Sequence, residues 1–163
     1  MKVILVMAMT ADGMIARNSM ELVDWTGKAD KQYFVQVTKK AGIMIMGSKT
    51  FDTIGRALPG RKSIVLTRNK DRKSKQSNLE FTDQAPETLL AGLSEQGYET
   101  ATLIGGAEIN GLFMENGLVD EIHVTVVPRF YGKGLSLFSS TLDVHLELIE
   151  AVTLEPNCLL IKY

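Results

Sequence analysis

The stretch IMIMGSKTFDTIGRALPGRKSIVL, Ile43 to Leu66, sets the reading of the whole chain. It opens on four consecutive apolar residues, too few for a helix and the right length for a strand buried on both faces. Gly47 and Ser48 end that run. A short helical pattern over 49–54 follows, and Gly55 with Pro59 and Gly60 breaks it before a second apolar run, Ile64 to Leu66. Strand, helix, loop, strand is the unit of an α/β sheet. Working outward, strands are expected over 3–9, 43–46, 63–66, 79–81, 101–104, 121–127, 146–152 and 159–163. Helices are expected over 29–41, 49–54, 86–96 and 108–115. Pro86 suits a first helical turn, and Gly97 and Gly117 suit helix stops. The last third holds strands only, so the sheet should be mixed and mostly parallel, closed by an antiparallel hairpin turning at Glu155, Pro156 and Asn157.

The chain has 163 residues, room for one domain and one continuous core. Eighteen basic residues against nineteen acidic ones leave a net charge of −1, which argues against binding nucleic acid by phosphate neutralisation. The apolar run over 3–9 is too short to span a membrane and reads as a buried strand rather than the core of a signal peptide. One cysteine, Cys158, allows no internal disulfide and fits a reducing, cytoplasmic setting. His123 and His145 lack metal-ligand spacing, so no metal is expected.

In parallel sheets ligands gather at the carboxyl ends of strands, and four segments there carry polar chemistry. Ile104, Gly105, Gly106, Ala107, Glu108 and Ile109 pass from strand to helix through two glycines, where backbone can approach a phosphate and helix amides can bind it. Gly47, Ser48, Lys49 and Thr50 combine hydroxyls with an ammonium at another helix start. Leu66, Thr67 and Arg68 place a hydroxyl and a guanidinium after a third strand. Together they suit a phosphate-rich nucleotide. In the first long helix Asp30, Phe34, Val37 and Ala41 are spaced four, three and four apart, so a carboxylate shares the apolar face. Such an acid either complements the helix dipole or accepts hydrogen bonds from a ligand. Leu58 offers an apolar rim and Arg61 a bidentate fork for a carboxylate, or a solvated turn.

These residues resemble dihydrofolate reductase over essentially the whole chain. Its most recognisable segment is matched by Ile45, Met46, Gly47, Thr50, Thr53, Ile54, Gly55, Arg56, Leu58, Pro59, Gly60, Arg61 and 64–66. Asp12, Ile15, Trp25, Asp30, Phe34, Ile104, Gly105, Gly106 and Thr125 add to it. The resemblance implies a dihydrofolate reductase-like α/β fold with about eight strands and four helices. It implies NADPH as cofactor and dihydrofolate as the small-molecule substrate. Asp30 and Thr125 would be the catalytic pair, the threonine hydroxyl bridging to the carboxylate. Val6, Met7, Phe34, Leu58 and Arg61 would complete the substrate site, Arg61 pairing with the glutamate carboxylate. Ala8 and Ile15 would lie by the nicotinamide, residues 104–109 and 47–50 by the pyrophosphate, and Leu66, Thr67 and Arg68 by the 2′-phosphate.

Two positions depart from the family pattern: Ser48 replaces a frequent arginine, and Asn110 a frequent tyrosine beside the nicotinamide. A second resemblance runs through Asp12 to Ala16, Gly117 to Ile122, and Pro128 with Gly132 to Leu135, Leu137 and Phe138. These segments are similar to the reductase domain of riboflavin biosynthesis, which shares the fold and cofactor but reduces a ribosylaminopyrimidine. A non-catalytic NADPH-binding module is the third reading. Both a monomer and a homodimer are compatible with the mixed signature.

Overall fold

The computed structural model describes residues 1–154 and 156–163. Its elements run β1 (Lys2–Thr10), β2 (Met14–Ala16), α1 (Lys28–Ala41), β3 (Ile43–Gly47), α2 (Ser48–Ile54), β4 (Lys62–Leu66) and β5 (Leu79–Thr82). They continue with α3 (Pro86–Glu95), β6 (Thr100–Leu103), α4 (Ala107–Glu115), β7 (Glu121–Val127), β8 (Leu135–Ser136), β9 (Glu150–Leu154) and β10 (Cys158–Lys162). Eight strands form one sheet in the order β5-β4-β3-β6-β1-β7-β10-β9, parallel except where β10 meets β7 and β9. The expected mixed α/β sheet with an antiparallel end is the architecture observed.

The continuous apolar runs are the inner strands. Ile43, Met44, Ile45 and Met46 are at most 1% exposed, as two-sided coverage requires. Pro86 occupies the first turn of α3. Gly97 and Gly117 follow their helices with φ of 90° and 64°, a left-handed turn that favours glycine. Phe113, on α4, is fully buried in the main core. Phe113→Ala should cost about 3–5 kcal/mol, read as a lower urea midpoint at unchanged slope.

Two expectations need correction. The last hairpin's first strand is Glu150–Leu154, not 146–152, because β10 offers only five residues and Lys162 already pairs with Glu150. Leu146, Leu148 and Ile149 are left exposed. Pro156 and Asn157 form a turn, while Glu155, assigned to the same turn, lies outside the described residues. A second, two-stranded antiparallel sheet of β2 and β8 was not foreseen.

The feature that makes a site is the shortness of β6. Its last residue, Leu103, pairs with Leu5 of β1 and Ile45 of β3, yet β1 runs on to Thr10 and β3 to Gly47. A notch opens between them at the carboxyl end of the sheet.

Candidate active site

A cleft of about 1800 Å³ occupies that notch. Val6, Met7 and Ala8 form its floor along the β1 edge that β6 leaves uncovered. The turn after β6 folds back over β3: Ile104 N–H donates to Ile45 O at 2.9 Å, and Gly47 N–H donates to Gly105 O at 2.8 Å. Gly105 has φ of 92°, and a Cβ on it would crowd Met7 at 3.1 Å. A Cβ on Gly47 would meet Ile109 at 2.9 Å, so both glycines are required for α4 to start so close to the sheet.

α4 begins at this turn with no side-chain cap, and Gly106 O accepts its first internal bond from Asn110 N–H at 2.9 Å. The amides of Ala107, Glu108 and Ile109 remain available. Ser48, Lys49, Thr50, Leu66, Thr67, Arg68, Ile104, Gly106, Ala107, Glu108 and Ile109 all line this end of the cleft. Glycine-cradled backbone, free helix amides, hydroxyls and cations suit a pyrophosphate-containing cofactor. Lys49 pairs with Glu108 across it at 3.4 Å, both side chains well exposed.

At the other end, α1 supplies Asp30 and Phe34 to the wall, joined by Leu58 and Arg61. Arg61 is only 7% exposed. Its Nη1 donates to Thr38 Oγ1 at 2.5 Å and to Val35 O at 3.3 Å, and its guanidinium lies 5.8 Å from the centre of the Phe34 ring. Its Nε is buried without a partner, and burial pushes the guanidinium below its ordinary pKa. Among the described residues no carboxylate pairs with it. A buried charge held only by neutral acceptors is costly, and an incoming anion removes that cost.

α1 is itself fastened to the sheet. The Tyr33 hydroxyl bonds His123 Nδ1 at 2.8 Å, and His123 Nε2 lies 3.0 Å from Glu121. Burial pushes Tyr33 up to about 12, so it keeps its proton and donates, leaving His123 Nε2–H to donate to the carboxylate. Burial holds His123 below the usual histidine value. This chain fixes the helix that carries Asp30 and Phe34.

Two expected site residues stand apart. Thr125 is 1% exposed inside the sheet between Ala8 and Leu160, outside the cleft wall. No hydrogen bond joins it to Asp30 among the described residues, so the expected bridge is absent from this arrangement. Gly105 sits behind the wall, which Gly106 faces. Sequence reading missed Thr26, Ser139 and Ser140, and met Lys133 only within the segment of the second resemblance; loops bring all four to the cleft. Arg17 and Glu21 were also missed. Arg17 pairs with Glu21 at 2.6 Å and packs over the Tyr131 ring at 5.3 Å.

Ile15 and Ala16 of β2 line the cleft beside Leu135 of β8. Asp12 ties this ribbon down. Its carboxylate accepts from the Thr10 hydroxyl, Gly132 N–H at 2.6 Å and Tyr131 N–H at 3.1 Å. The Thr10 bond, then the Gly132 amide, holds Asp12 below its ordinary value of 3.8. A depressed folded-state pKa means that the tie is intact above the unfolded value and is lost as pH falls through the folded one. Trp25, the only tryptophan, stacks edge-on to Tyr131 at 5.5 Å and reports on it. Acid titration of its emission should show a step below about pH 4 that Asp12→Asn lacks.

Residues 2–144 match the family model described as Dihydrofolate reductase. The chain belongs to the dihydrofolate reductase family. It is 34% identical to a Caenorhabditis elegans protein named "Putative dihydrofolate reductase", over 94% of this chain and 82% of that one. It is 33% identical to the dihydrofolate reductase of Lactococcus lactis, over 73% of this chain and 68% of that one. Among solved structures, Acinetobacter baumannii RibD superposes with a TM-score of 0.82 at 19% identity, covering 99% of this chain and 57% of that longer one. That likeness is one of fold. Family membership makes the protein an oxidoreductase acting on a small molecule. No helix among the described residues is long and apolar enough to cross a membrane.

Proposed function

We propose that this protein reduces 7,8-dihydrofolate to 5,6,7,8-tetrahydrofolate with NADPH. The observation that carries the reading is a half-buried acid, Asp30, and a buried guanidinium without an acid, Arg61, set along one apolar wall of Phe34 and Leu58. That sequence of acid, aromatic wall and cation matches a ligand with an N–H-rich ring at one end, an aryl group between and a carboxylate at the other.

NADPH, when bound, supplies the hydride. The chain's own part is placement and charge. Asp30 accepts ring N–H bonds, fixes the pteridine against Val6 and Met7, and stabilises positive charge as the ring nitrogen takes up a proton from water near this carboxylate. Phe34 and Leu58 exclude solvent from the ring and benzoyl group. Arg61 pairs with the carboxylate of the glutamate tail. The amides of 107–109, with Ser48, Lys49, Thr50, Thr67 and Arg68, would hold the cofactor phosphates, and Ala8 and Ile15 would lie by the nicotinamide.

A ribosylaminopyrimidine is the second reading, favoured by the 132–138 segment, from which Lys133, Gly134 and Leu135 reach the cleft. Following NADPH oxidation with each substrate separates them. Turnover of dihydrofolate supports the first reading, and turnover of the pyrimidine alone selects the second. Tight NADPH binding with neither reaction makes the protein a nucleotide-binding module.

A further inference from the structure

One stretch of strand-like sequence is left with no strand to pair with. Residues 141–149 read TLDVHLELI, so that Leu142, Val144, Leu146 and Leu148 alternate with Asp143, His145 and Glu147. A period of two marks an extended segment with one apolar side. The segment runs without a turn or bend into β9, but the ladder with β10 reaches back only to Ile149, whose N–H donates to Lys162 O at 2.8 Å. Residues 141–148 form no main-chain hydrogen bond with the described residues. Val144, Leu146, Leu148 and Ile149 are all at least 41% exposed.

This edge is also undefended. β9 ends the eight-stranded sheet, and residues 141–154 contain no lysine, arginine or proline to turn another strand away. Glu150 is taken up by Lys162 on β10 at 2.5 Å. The remaining charges, Asp143 and Glu147 with His145 between them, decide which strand can lie here. Consider antiparallel pairing of residues 142–150 with the same residues of a second copy, about a twofold axis at Leu146. It sets Val144 against Leu148, Leu146 against itself and His145 against Glu147. Apolar then meets apolar, an imidazole meets a carboxylate, and no acid faces an acid. Moving the axis by one residue sets Asp143 against Glu147, or Glu147 against itself. Moving it by half a residue sets Leu148 against Asp143, or Leu146 against Glu147.

We infer that this chain forms a homodimer through antiparallel pairing of residues 142–150 with the same residues of a second copy, centred on Leu146. The pairing gives partners to main-chain groups that the single chain leaves to solvent, and it brings Val144, Leu146 and Leu148 of both copies into one apolar strip. It uses no residue that lines the cleft, so it holds whichever small molecule is reduced.

Sedimentation velocity over about 1–100 μM protein tests it, with no ligand present. The unmodified chain should sediment as a dimer at the upper end of that range, and Leu146→Lys, which sets two like charges together on the axis, as a monomer. His145→Glu sets acid against acid twice, once on each side of the axis, and should weaken dimerisation by about tenfold. The double variant His145→Glu, Glu147→His exchanges the two groups and should restore it. Circular dichroism should be the same for all four proteins, because these side chains are exposed. A monomer throughout overturns the inference and leaves the edge to a different partner. A dimer indifferent to Leu146→Lys, or a double variant no better than His145→Glu alone, overturns the pairing centred on Leu146.

Discussion

Asp30→Asn should lower dihydrofolate turnover by about 10²–10³-fold while leaving NADPH affinity within about twofold. Asparagine keeps the volume and one acceptor, but it loses the second acceptor and the negative charge. The ring gains positive character as its nitrogen is protonated, and a neutral amide in the same place offers little against it. Asp30 lies at the opposite end of the cleft from Lys49, Thr67, Arg68 and the start of α4, so the proposed cofactor contacts should be untouched. Single-turnover rates and fluorescence titration with NADPH read the two quantities separately. Turnover within tenfold of the unmodified enzyme would remove Asp30 from the chemistry.

The second large effect should split function from stability. Arg61→Leu is expected to raise the KM for dihydrofolate by about 10–100-fold, the worth of a charge-assisted hydrogen bond to a carboxylate, with a smaller change in kcat. The free protein should be no less stable, and by up to about 2 kcal/mol more so, because a desolvated guanidinium without an acid is replaced by a side chain at home in that wall. Thr38 and Val35 lose a donor, which limits the gain. Urea denaturation of both proteins, with and without folate, shows it. A fall in stability in the absence of ligand would mean that Arg61 serves mainly as a structural strut.

How much of this was readable in advance depends on the range over which each feature is determined. Ile43 to Met46 and Val3 to Leu5 announce themselves as inner strands because two-sided burial writes itself into consecutive residues. Asp30 was legible because helical spacing sets it on the face with Phe34 and Val37, and all three are half-buried. The short strands β2 and β8, three and two residues long, carry no period to detect. Their pairing depends on Asp12 holding the backbone 119 residues away. The start of β9 is set by the length of its partner, not by its own apolar content. His123 reads in the sequence only as a histidine without metal-ligand spacing, since its partner Tyr33 lies 90 positions earlier. Thr125 shows the reverse: its family position was recognised, but its depth within the sheet was not visible in one sequence.

The early end of β6 has a consequence for how ligand choice can change. Where β1 outruns its neighbour, its main chain beside the notch has no β6 residue to pair with, and solvent or a ligand in the cleft takes that place. Part of the recognition is therefore written in peptide bonds, which replacements other than proline leave in place. Variants that alter side chains around the cleft can retune size, charge and affinity, but short of proline on β1 they inherit its hydrogen-bonding edge. A change in strand length, one or two residues added to β6, would cover that edge, and the same addition would close the site.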